Sequence, residues 1–286
     1  MEAAASPADP SALVGRRAEA SWEWDSRDVM LYALGVGASR DAESELELST
    51  ENSTGHQLRP IPSFAVLMAQ TVTERLTAAL DPTKVVHAEQ ELTIARPLPN
   101  AGRATVSAEV EAAYDKGSGA LVAVRSTGVD AESGEELVVA RSTVFVRDGG
   151  GFGGERGPSR AWQAPDRDPD LTLTSEVRRD QALLYRLNGD RNPLHSDPEF
   201  ARRSGFERPI LHGLATFGIT SRLLFGACCD LDPERFAGIA ARFSKPVLPG
   251  ETLHVDAWVD AEEVLFRTRS GDGDVVLDRG TLTRRI

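Results

Sequence analysis

The chain repeats itself at an interval of 149 to 153 residues, and this repeat limits the folds that it can adopt. Two motif pairs lie 149 residues apart (208 − 59 and 245 − 96), and a third pair lies 153 apart (184 − 31). The pairs are Arg59-Pro60-Ile61 with Arg208-Pro209-Ile210, Arg96-Pro97-Leu98 with Lys245-Pro246-Val247, and Leu31-Tyr32-Ala33-Leu34 with Leu184-Tyr185-Arg186-Leu187. Their common order predicts two related units in tandem, packed against each other as a pseudo-dimer.

Both halves read as helical segments followed by β-strands. Ser26 and Asp180 stand where each half can cap a helix. Apolar spacing predicts helices over 26–34, 63–76, 181–187 and 214–225. Runs rich in Val, Thr and Ala predict strands over 104–114, 120–130, 136–147, 171–177, 238–243, 252–262, 263–269 and 274–283. Short turns between consecutive strands favour antiparallel meanders, so the fold class is α+β.

A segment rich in Gly, Pro and charge, residues 148–170, separates the halves and is interpreted as a connector. Its Gly149–Gly154 run lacks the spacing and the Lys-Ser/Thr of a phosphate-binding loop. The sequence therefore predicts an N-terminal unit over 1–147, a linker over 148–170 and a C-terminal unit over 171–286. Residues 1–20 are expected to be a frayed tail.

Composition excludes several classes of function. The net charge of −12 argues against nucleic acid and anionic surfaces as partners, since both are bound by basic patches. No stretch approaches the ~20 apolar residues of a membrane span, and the N-terminus does not resemble a signal peptide. The cysteines, Cys228 and Cys229, are adjacent, which suits a reducing compartment better than a disulfide. A cytoplasmic location is expected.

Polar residues concentrate in one stretch, Gly189-Asp190-Arg191-Asn192-Pro193-Leu194-His195, here called the polar loop. It lies between two predicted helices, and His212-Gly213 stands at the start of the second. The first half has Gly35-Val36-Gly37-Ala38-Ser39 in place of the polar loop, and Pro62-Ser63 in place of His212-Gly213. We therefore expect one active site per chain, with the N-terminal half serving as structure and substrate cradle.

These residues resemble the signature of the MaoC-like, or type 2 enoyl-CoA hydratase, family, and the resemblance covers nearly the whole chain. The matching segments are Tyr185 to His195, Ile210-Leu211-His212-Gly213, Val86-His87-Ala88-Glu89-Gln90, Arg96-Pro97-Leu98-Pro99, Asp115-Lys116-Gly117, Gly151-Phe152-Gly153-Gly154, Arg242-Phe243 and Pro246-Val247. Ala88 departs from the Gly that such enzymes often have. The resemblance implies a tandem (double) hot-dog fold, in which two antiparallel sheets each wrap a helix. It also implies a homodimer of such chains.

The implied reaction is the reversible hydration of trans-2-enoyl-CoA to (3R)-3-hydroxyacyl-CoA, with no metal or redox cofactor. In this family the residues matching Asp190 and His195 hold a water as an acid/base pair. The residue matching Asn192 would orient that water, and the N–H of Gly213 would bind the thioester oxygen at a helix N-terminus. Arg96 and Phe243 match positions that contact the CoA thioester.

Other polar residues receive structural interpretations. His212 is expected to pack against the polar loop with its ring bonded to backbone, and His87 and His254 are interpreted as structural. A metal site is not expected, because no second His or carboxylate lies at ligand spacing on a helix. Arg202 and Arg203 fit a solvated face or a contact with CoA phosphates, which the sequence leaves open.

Three other functions compete with hydration of acyl-CoA. A 3-hydroxyacyl-thioester dehydratase for acyl-carrier-protein substrates would favour a basic patch near the tunnel mouth, and none is evident. A hot-dog thioesterase usually places its carboxylate on or near the central helix, without an Asp-x-Asn-x-x-His loop. A non-catalytic acyl-CoA-binding subunit would fit the N-terminal half alone.

Overall fold

The computed structural model describes residues 9–41, 43–158 and 162–286. Within these ranges the strands are β1 (Arg17–Trp24), β2 (Val85–Ile94), β3 (Gly102–Asp115), β4 (Gly119–Asp130), β5 (Glu136–Arg147), β6 (Leu171–Glu176), β7 (Phe236–Phe243), β8 (Thr252–Val259), β9 (Glu263–Ser270) and β10 (Val275–Arg284). The α-helices are α1 (Ser26–Gly35), α2 (Leu46–Ser49), α3 (Val66–Thr77), α4 (Gln181–Tyr185), α5 (Pro198–Arg203) and α6 (Gly213–Cys229). Short 3₁₀ helices cover Pro10–Leu13, Pro62–Ala65, Arg186–Asn188, Pro193–His195 and Pro233–Arg235. None of the described helices combines the length and apolarity needed to cross a bilayer.

The ten strands form one antiparallel sheet in the order β1-β3-β4-β5-β2-β7-β10-β9-β8-β6. The first five belong to the N-terminal unit and the last five to the C-terminal unit. Read from its centre outward, each half has the same sequence of strands, so the repeat in the chain becomes a pseudo-symmetric sheet. The two units meet where β2 pairs with β7, from Glu89 opposite Arg242 to Thr93 opposite Gly238.

Each unit packs one long helix on its part of the sheet. Helix α3 lies against β1, β3, β4 and β5, and α6 lies against β6, β7, β8 and β10. Tyr32 of α1 and Tyr185 of α4, equivalent positions of the repeat, are both fully buried with ring centroids 6.2 Å apart between the units. The tandem hot-dog fold expected from the sequence is confirmed, with its two sheets joined into one.

Residues 9–20 are not the frayed tail that the sequence suggested. The chain forms a 3₁₀ helix at Pro10–Leu13 and then β1, which pairs with β3 along its whole length. The signal was present in the sequence, because Arg17–Trp24 alternates polar and apolar residues and buries Ala20 and Trp24. Residues 1–8 lie outside the described part of the chain.

The helix caps also differ from expectation. Asp25, not Ser26, is the N-cap of α1, and it forms a reciprocal capping box with Asp28. Asp180 occupies the N-cap position of α4, but its carboxylate binds the side chain of Arg178 instead of backbone N–H groups. The Arg178 guanidinium offers a second charge and two parallel hydrogen bonds to the carboxylate, which the backbone N–H groups do not.

The connector, residues 148–170, contains no helix or strand among its described residues, yet its first part is anchored. The carboxylate of Asp115 accepts N–H groups from Gly117, Gly151 and Gly153 at 2.7 to 2.9 Å. These bonds lower the pKa of Asp115. Phe152 packs on the core, so the segment is pinned to the N-terminal unit where it leaves β5.

The buried guanidinium of Arg222 links helix α6 to the N-terminal unit. Arg222 of α6 is 5% exposed, and it donates to the carbonyl of Val36 at 3.0 Å, to Glu45 at 2.5 Å and to Ser175 at 3.2 Å. Its partners come from both halves, so this side chain links α6 to Val36 and Glu45 of the N-terminal unit and to Ser175 of β6.

Replacing Arg222 by Leu is expected to lower the free energy of unfolding by about 3 kcal/mol, because Glu45 and the Val36 carbonyl lose their charged partner. Chemical denaturation of both proteins measures this difference. Arg17→Ala, which breaks the exposed pair with Glu109, is the matched control and should cost less than about 1 kcal/mol. Equal effects of the two substitutions would contradict the role given to Arg222.

Candidate active site

A cavity of about 760 Å³ lies between the two units and receives the polar loop. Asp190, Asn192 and His195 line it from one side, and Gly213 and Phe243 line it as well. The N-terminal unit contributes part of the wall through α3 and through strands β2 and β5. Five of the six predicted site residues are thus brought together, although 53 positions separate the first, Asp190, from the last, Phe243 (243 − 190).

Short-range hydrogen bonds fix the shape of the polar loop. The chain leaves α4 through the 3₁₀ turn Arg186–Asn188 and reverses at Gly189, whose φ of +127° favours glycine. The Oδ1 atom of Asp190 then accepts the N–H of Asn192 at 3.0 Å. The amide oxygen of Asn192 accepts the N–H of Leu194 at 3.0 Å and caps the turn that carries His195. Asn192 therefore shapes the loop, and its side-chain NH₂ remains available to a ligand.

His195 is held as a neutral imidazole with one free nitrogen. Its ring is 8% exposed, and Nδ1 lies 2.9 Å from the carbonyl oxygen of Ile210. Because a carbonyl only accepts, Nδ1 carries the proton and Nε2 is left as an acceptor. Burial lowers the pKa of His195, partly offset by the charge of Asp190 and by the Ile210 bond. The arrangement presents a base to the cavity.

His212 lies directly behind His195. The two rings stack with centroids 3.7 Å apart and planes inclined by 27°, and His212 is 1% exposed. Neither ring nitrogen of His212 makes a hydrogen bond of ordinary geometry among the described residues, but the Asp190 backbone is close enough to the ring to raise its pKa, so the expected backbone contact is present only in weak form. Burial, followed by the proximity of His195, lowers the pKa of His212 to about 2. His212 therefore packs against the polar loop, as expected, but as an uncharged face beside the base.

One carboxylate oxygen of Asp190 and one nitrogen from each of His195 and His212 lie within 4.8 Å of one another. The sequence argument against a metal is therefore incomplete, because folding brings in the second histidine that it lacked. The rings nevertheless stack, and an ion in the plane of one would lie out of the plane of the other. An Asp190 oxygen and a ring nitrogen of His195 that lie within 4.8 Å of each other are close enough for one water to bridge them.

Gly213 is the first residue of α6, and its N–H lies at the end of the helix where such groups lack intrahelical acceptors. The His212 carbonyl accepts from Ala215 and Thr216, which begins the helix. A Cβ at Gly213 would lie 3.2 Å from the ring of Phe243 and 3.6 Å from the Cβ of His87. Because glycine has no side chain, the narrow space beside this N–H stays open to a ligand.

The structure corrects the alignment of the two halves by one residue. At the spacing of 149 residues, Ser63 is equivalent to His212, and Phe64 is equivalent to Gly213. Phe64 is fully buried, so an aromatic ring stands in the N-terminal unit where the C-terminal unit opens an N–H to the cavity. Together with the missing polar loop, this substitution explains why one site forms in each chain.

Arg96 does not lie at the cavity, and its predicted contact with substrate is not supported. Its guanidinium pairs with Asp130, the last residue of β4, at 3.1 Å and with Glu135, on the loop that follows, at 3.7 Å. The equivalent residue of the other unit, Lys245, does line the cavity, with Arg147 and Arg191 as further cations. The repeat in the sequence was a signal for Lys245, because Arg96-Pro97-Leu98 and Lys245-Pro246-Val247 are its matched motifs.

The other histidines and arginines considered in the sequence lie either at the cavity wall or outside the cavity. His87 lines the cavity against Phe243 and bonds to Gln90, and burial lowers its pKa to about 4. His254 lies on β8 and contacts Thr174 outside the cavity. Arg202 and Arg203 are exposed and do not line the cavity, in agreement with a solvated face.

Comparison with known proteins shows the family to which the chain belongs. Residues 22–148 match the family described as MFE-2 hydratase 2 N-terminal domain, and residues 160–280 match the MaoC like domain. The chain is 40% identical over 285 residues to 3-hydroxyacyl-thioester dehydratase Y of Mycobacterium tuberculosis, covering 96% of this chain and 97% of that protein. The chain belongs to the MaoC-like hydratase 2 family.

Two further relatives of this family member are named as peroxisomal proteins. Enoyl-CoA hydratase 2, peroxisomal, of Arabidopsis thaliana is 35% identical, with 90% of this chain and 89% of that protein covered. The structure of full-length peroxisomal multifunctional enzyme type 2 from Drosophila melanogaster superposes with a TM-score of 0.83 at 37% identity. That alignment covers 94% of this chain and 48% of the larger protein, so this chain spans about half of it.

The buried neutral histidines make stability depend on pH. His212 takes up a proton near pH 6.5 when the chain is unfolded and only near pH 2 when it is folded, so stability falls as the pH drops below 6.5. Between pH 6.5 and pH 5 this residue alone should remove about 2 kcal/mol from the free energy of unfolding, and His195 acts in the same direction. Urea unfolding at both pH values measures the loss.

His212→Phe is the matched variant for this test. Phenylalanine retains a ring against His195 but cannot be protonated, so the variant should lose about 2 kcal/mol less than the wild type over the same interval. An identical loss in both proteins would show that His212 is not the buried neutral group described above.

Proposed function

We propose that this chain is an (R)-specific 2-enoyl-CoA hydratase, which adds water reversibly to trans-2-enoyl-CoA to give (3R)-3-hydroxyacyl-CoA. The observation that carries the proposal is the joint presence of Asp190, a neutral His195 and the Gly213 N–H on one cavity. The relatives named as enoyl-CoA hydratase 2 and as 3-hydroxyacyl-thioester dehydratase support both directions of the same reaction.

The acid/base step uses the gap between Asp190 and His195. A water in this gap donates to the Asp190 carboxylate and to Nε2 of His195, which leaves an oxygen lone pair for C3 of the enoyl group. As the C–O bond forms, one proton passes from the water to the Asp190–His195 pair, and the pair returns one proton to C2 on the same face, so that the pair ends in its starting protonation state. In dehydration these transfers run in reverse.

The oxyanion step uses the N-terminus of α6. Addition at C3 pushes electron density onto the thioester oxygen, which the Gly213 N–H and the positive end of the helix stabilise. Phe243 lies against Gly213 and limits the planes in which the thioester can lie. The proposal needs water and the groups of this chain, with no metal or redox cofactor.

Coenzyme A is the proposed acyl carrier. The chain has a net charge of −12, so binding of a polyanionic carrier depends on local cations. Arg147, Arg191 and Lys245 supply them at the cavity wall. An acyl-carrier-protein thioester is the second candidate, because the mycobacterial relative is named for thioesters in general.

The proposal also covers where the protein acts and how its chains assemble. We expect the protein to act in the cytoplasm as a homodimer, and the peroxisomal names of two relatives make the peroxisome the alternative location. Sedimentation of the purified chain tests the dimer, and fractionation of cells tests the location.

Substituting Asp190→Asn or His195→Gln is expected to reduce kcat by a hundred-fold or more, because each removes one partner of the attacking water. Asparagine keeps the Oδ1 acceptor for the Asn192 N–H, so the loop retains its shape. The measurement follows loss of enoyl absorbance and release of free thiol with crotonyl-CoA, alongside circular dichroism. Release of free CoA would instead indicate a thioesterase, and near wild-type rates in a folded variant would refute the mechanism.

Replacing Gly213 by Pro removes the N–H while keeping a residue that helices accept at their first position. The expected loss in kcat is about 10² to 10³-fold, the usual effect of deleting one oxyanion donor. Gly213→Ala is the control, since it adds a Cβ beside Phe243 and keeps the N–H. If the alanine variant is as slow as the proline variant, crowding rather than the lost donor is responsible.

A further inference from the structure

The segment that follows His195, residues 196–209, packs on a small hydrophobic cluster of its own, separate from the main core. This α5 cluster consists of the buried Leu194, Ala201 and Ile210, with Phe200, Phe206 and Leu248 packed against them. Two of its members adjoin the base. Leu194 precedes His195 in the chain, and the carbonyl of Ile210 accepts the Nδ1 proton of His195 at 2.9 Å. The orientation of His195 therefore depends on how the α5 cluster is held.

An arginine of the N-terminal unit reaches this segment. Arg147 is the last residue of β5, and its backbone N–H donates to the carbonyl of Lys84 at 2.9 Å. Its Nη1 donates to the carbonyl of Ser204 at 2.9 Å, and its guanidinium carbon lies 5.4 Å from the centre of the Phe206 ring. Arg147 and Phe206 both line the cavity. One side chain thus connects the N-terminal wall of the cavity to the α5 cluster.

Helix α5 needs such an external contact. It has six residues, and a helix this short is not stable through its own hydrogen bonds. A cationic donor on a carbonyl and a guanidinium over an aromatic ring are both stronger than the corresponding neutral contacts. Ser204 and Phe206 follow α5 directly, so the two contacts with Arg147 hold its C-terminal end against the N-terminal unit.

A second arginine makes a similar contact on the same helix without linking the two units. Arg203 lies over the ring of Phe200 at 5.5 Å and pairs with Glu199 at 3.8 Å. These partners belong to α5 itself, and Arg203 is exposed outside the cavity. The comparison isolates the feature that distinguishes Arg147, which is its origin in the other unit.

We propose that Arg147 is a positioning residue for hydration. From the N-terminal unit it holds Ser204 and Phe206, and through the α5 cluster it keeps His195 where one water can bridge it to Asp190. In this role Arg147 does not touch the reacting atoms. The inference rests on the proposed hydratase function, and it gives the N-terminal unit a part in aligning the base besides forming a wall of the cavity.

The test is Arg147→Met, which keeps the apolar stem of the side chain and removes the charge and the donor. With crotonyl-CoA, kcat is expected to fall about tenfold while KM stays nearly constant, because a displaced catalytic group slows the chemical step. Arg147→Lys should recover most of kcat, since an ammonium can still donate to the Ser204 carbonyl and lie over Phe206. Loss of a carrier contact alone would instead raise KM and leave kcat unchanged, and that result would overturn the proposal.

Phe206→Leu supplies a second variant that leaves the guanidinium in place and keeps an apolar side chain on the α5 cluster. It should also lower kcat, and the double variant with Arg147→Met should lose less than the product of the two single losses. Independent, multiplying losses would contradict a shared route to His195. This variant also decides the matter if Arg147→Met does not fold, because an unchanged kcat in folded Phe206→Leu would refute the proposal.

Arg203→Met is the matched control, and it should leave kcat and KM unchanged. A loss equal to that of Arg147→Met would show that the link between the units is not what matters, which would also overturn the proposal. Each of these results leaves the hydratase function intact as long as the wild type hydrates crotonyl-CoA. Absence of that turnover would count against the proposed function itself.

Discussion

The pairing of β2 with β7 is the contact on which the rest of the molecule depends. Each strand lies at one edge of its own five-stranded unit. The hydrogen bonds between β2 and β7 pair these two edges, which would otherwise be open to strands of other chains. The approach is close at Gly238, where a Cβ would lie 2.6 Å from the carbonyl oxygen of Leu92. Glycine therefore permits the two units to join. Because the cavity takes its wall from both, a shift along this seam would move α3 relative to Asp190 and His195.

The two units differ at equivalent positions in whether their buried polar groups have hydrogen-bond partners. In the N-terminal unit, the hydroxyl of Tyr32 is 3.1 Å from Ser63, so two buried polar groups satisfy each other. In the C-terminal unit, Tyr185 and His212 occupy the equivalent places, and neither has a partner among the described residues. Unpaired buried polar groups destabilise a fold and occur mainly where function requires them. One unit was thus optimised for packing, and the other retains groups for chemistry.

The sequence predicted the parts of the structure that depend on local patterns. Four of the six described α-helices, most strands and the polar loop follow from apolar spacing and from residues such as Gly189 and Pro193, whereas the short helices α2 and α5 were not predicted. The position of Arg96 could not be predicted in this way, because its choice of Asp130 and Glu135 depends on a turn packed beside it in space. The same holds for His212, whose contact with His195 joins residues 17 positions apart.

The charge balance of the site explains why a second histidine beside the base has to remain neutral. Before reaction the site contains the Asp190 carboxylate and a neutral His195, whose burial disfavours a positive charge. In the proposed mechanism His195 takes the proton of the attacking water. The new imidazolium then lies beside a carboxylate and forms an ion pair, which is much less unfavourable than an isolated buried charge. A protonated His212 stacked at 3.7 Å would oppose that step by direct repulsion. Its deep burial, which keeps it uncharged, therefore preserves the capacity of His195 to act as the base.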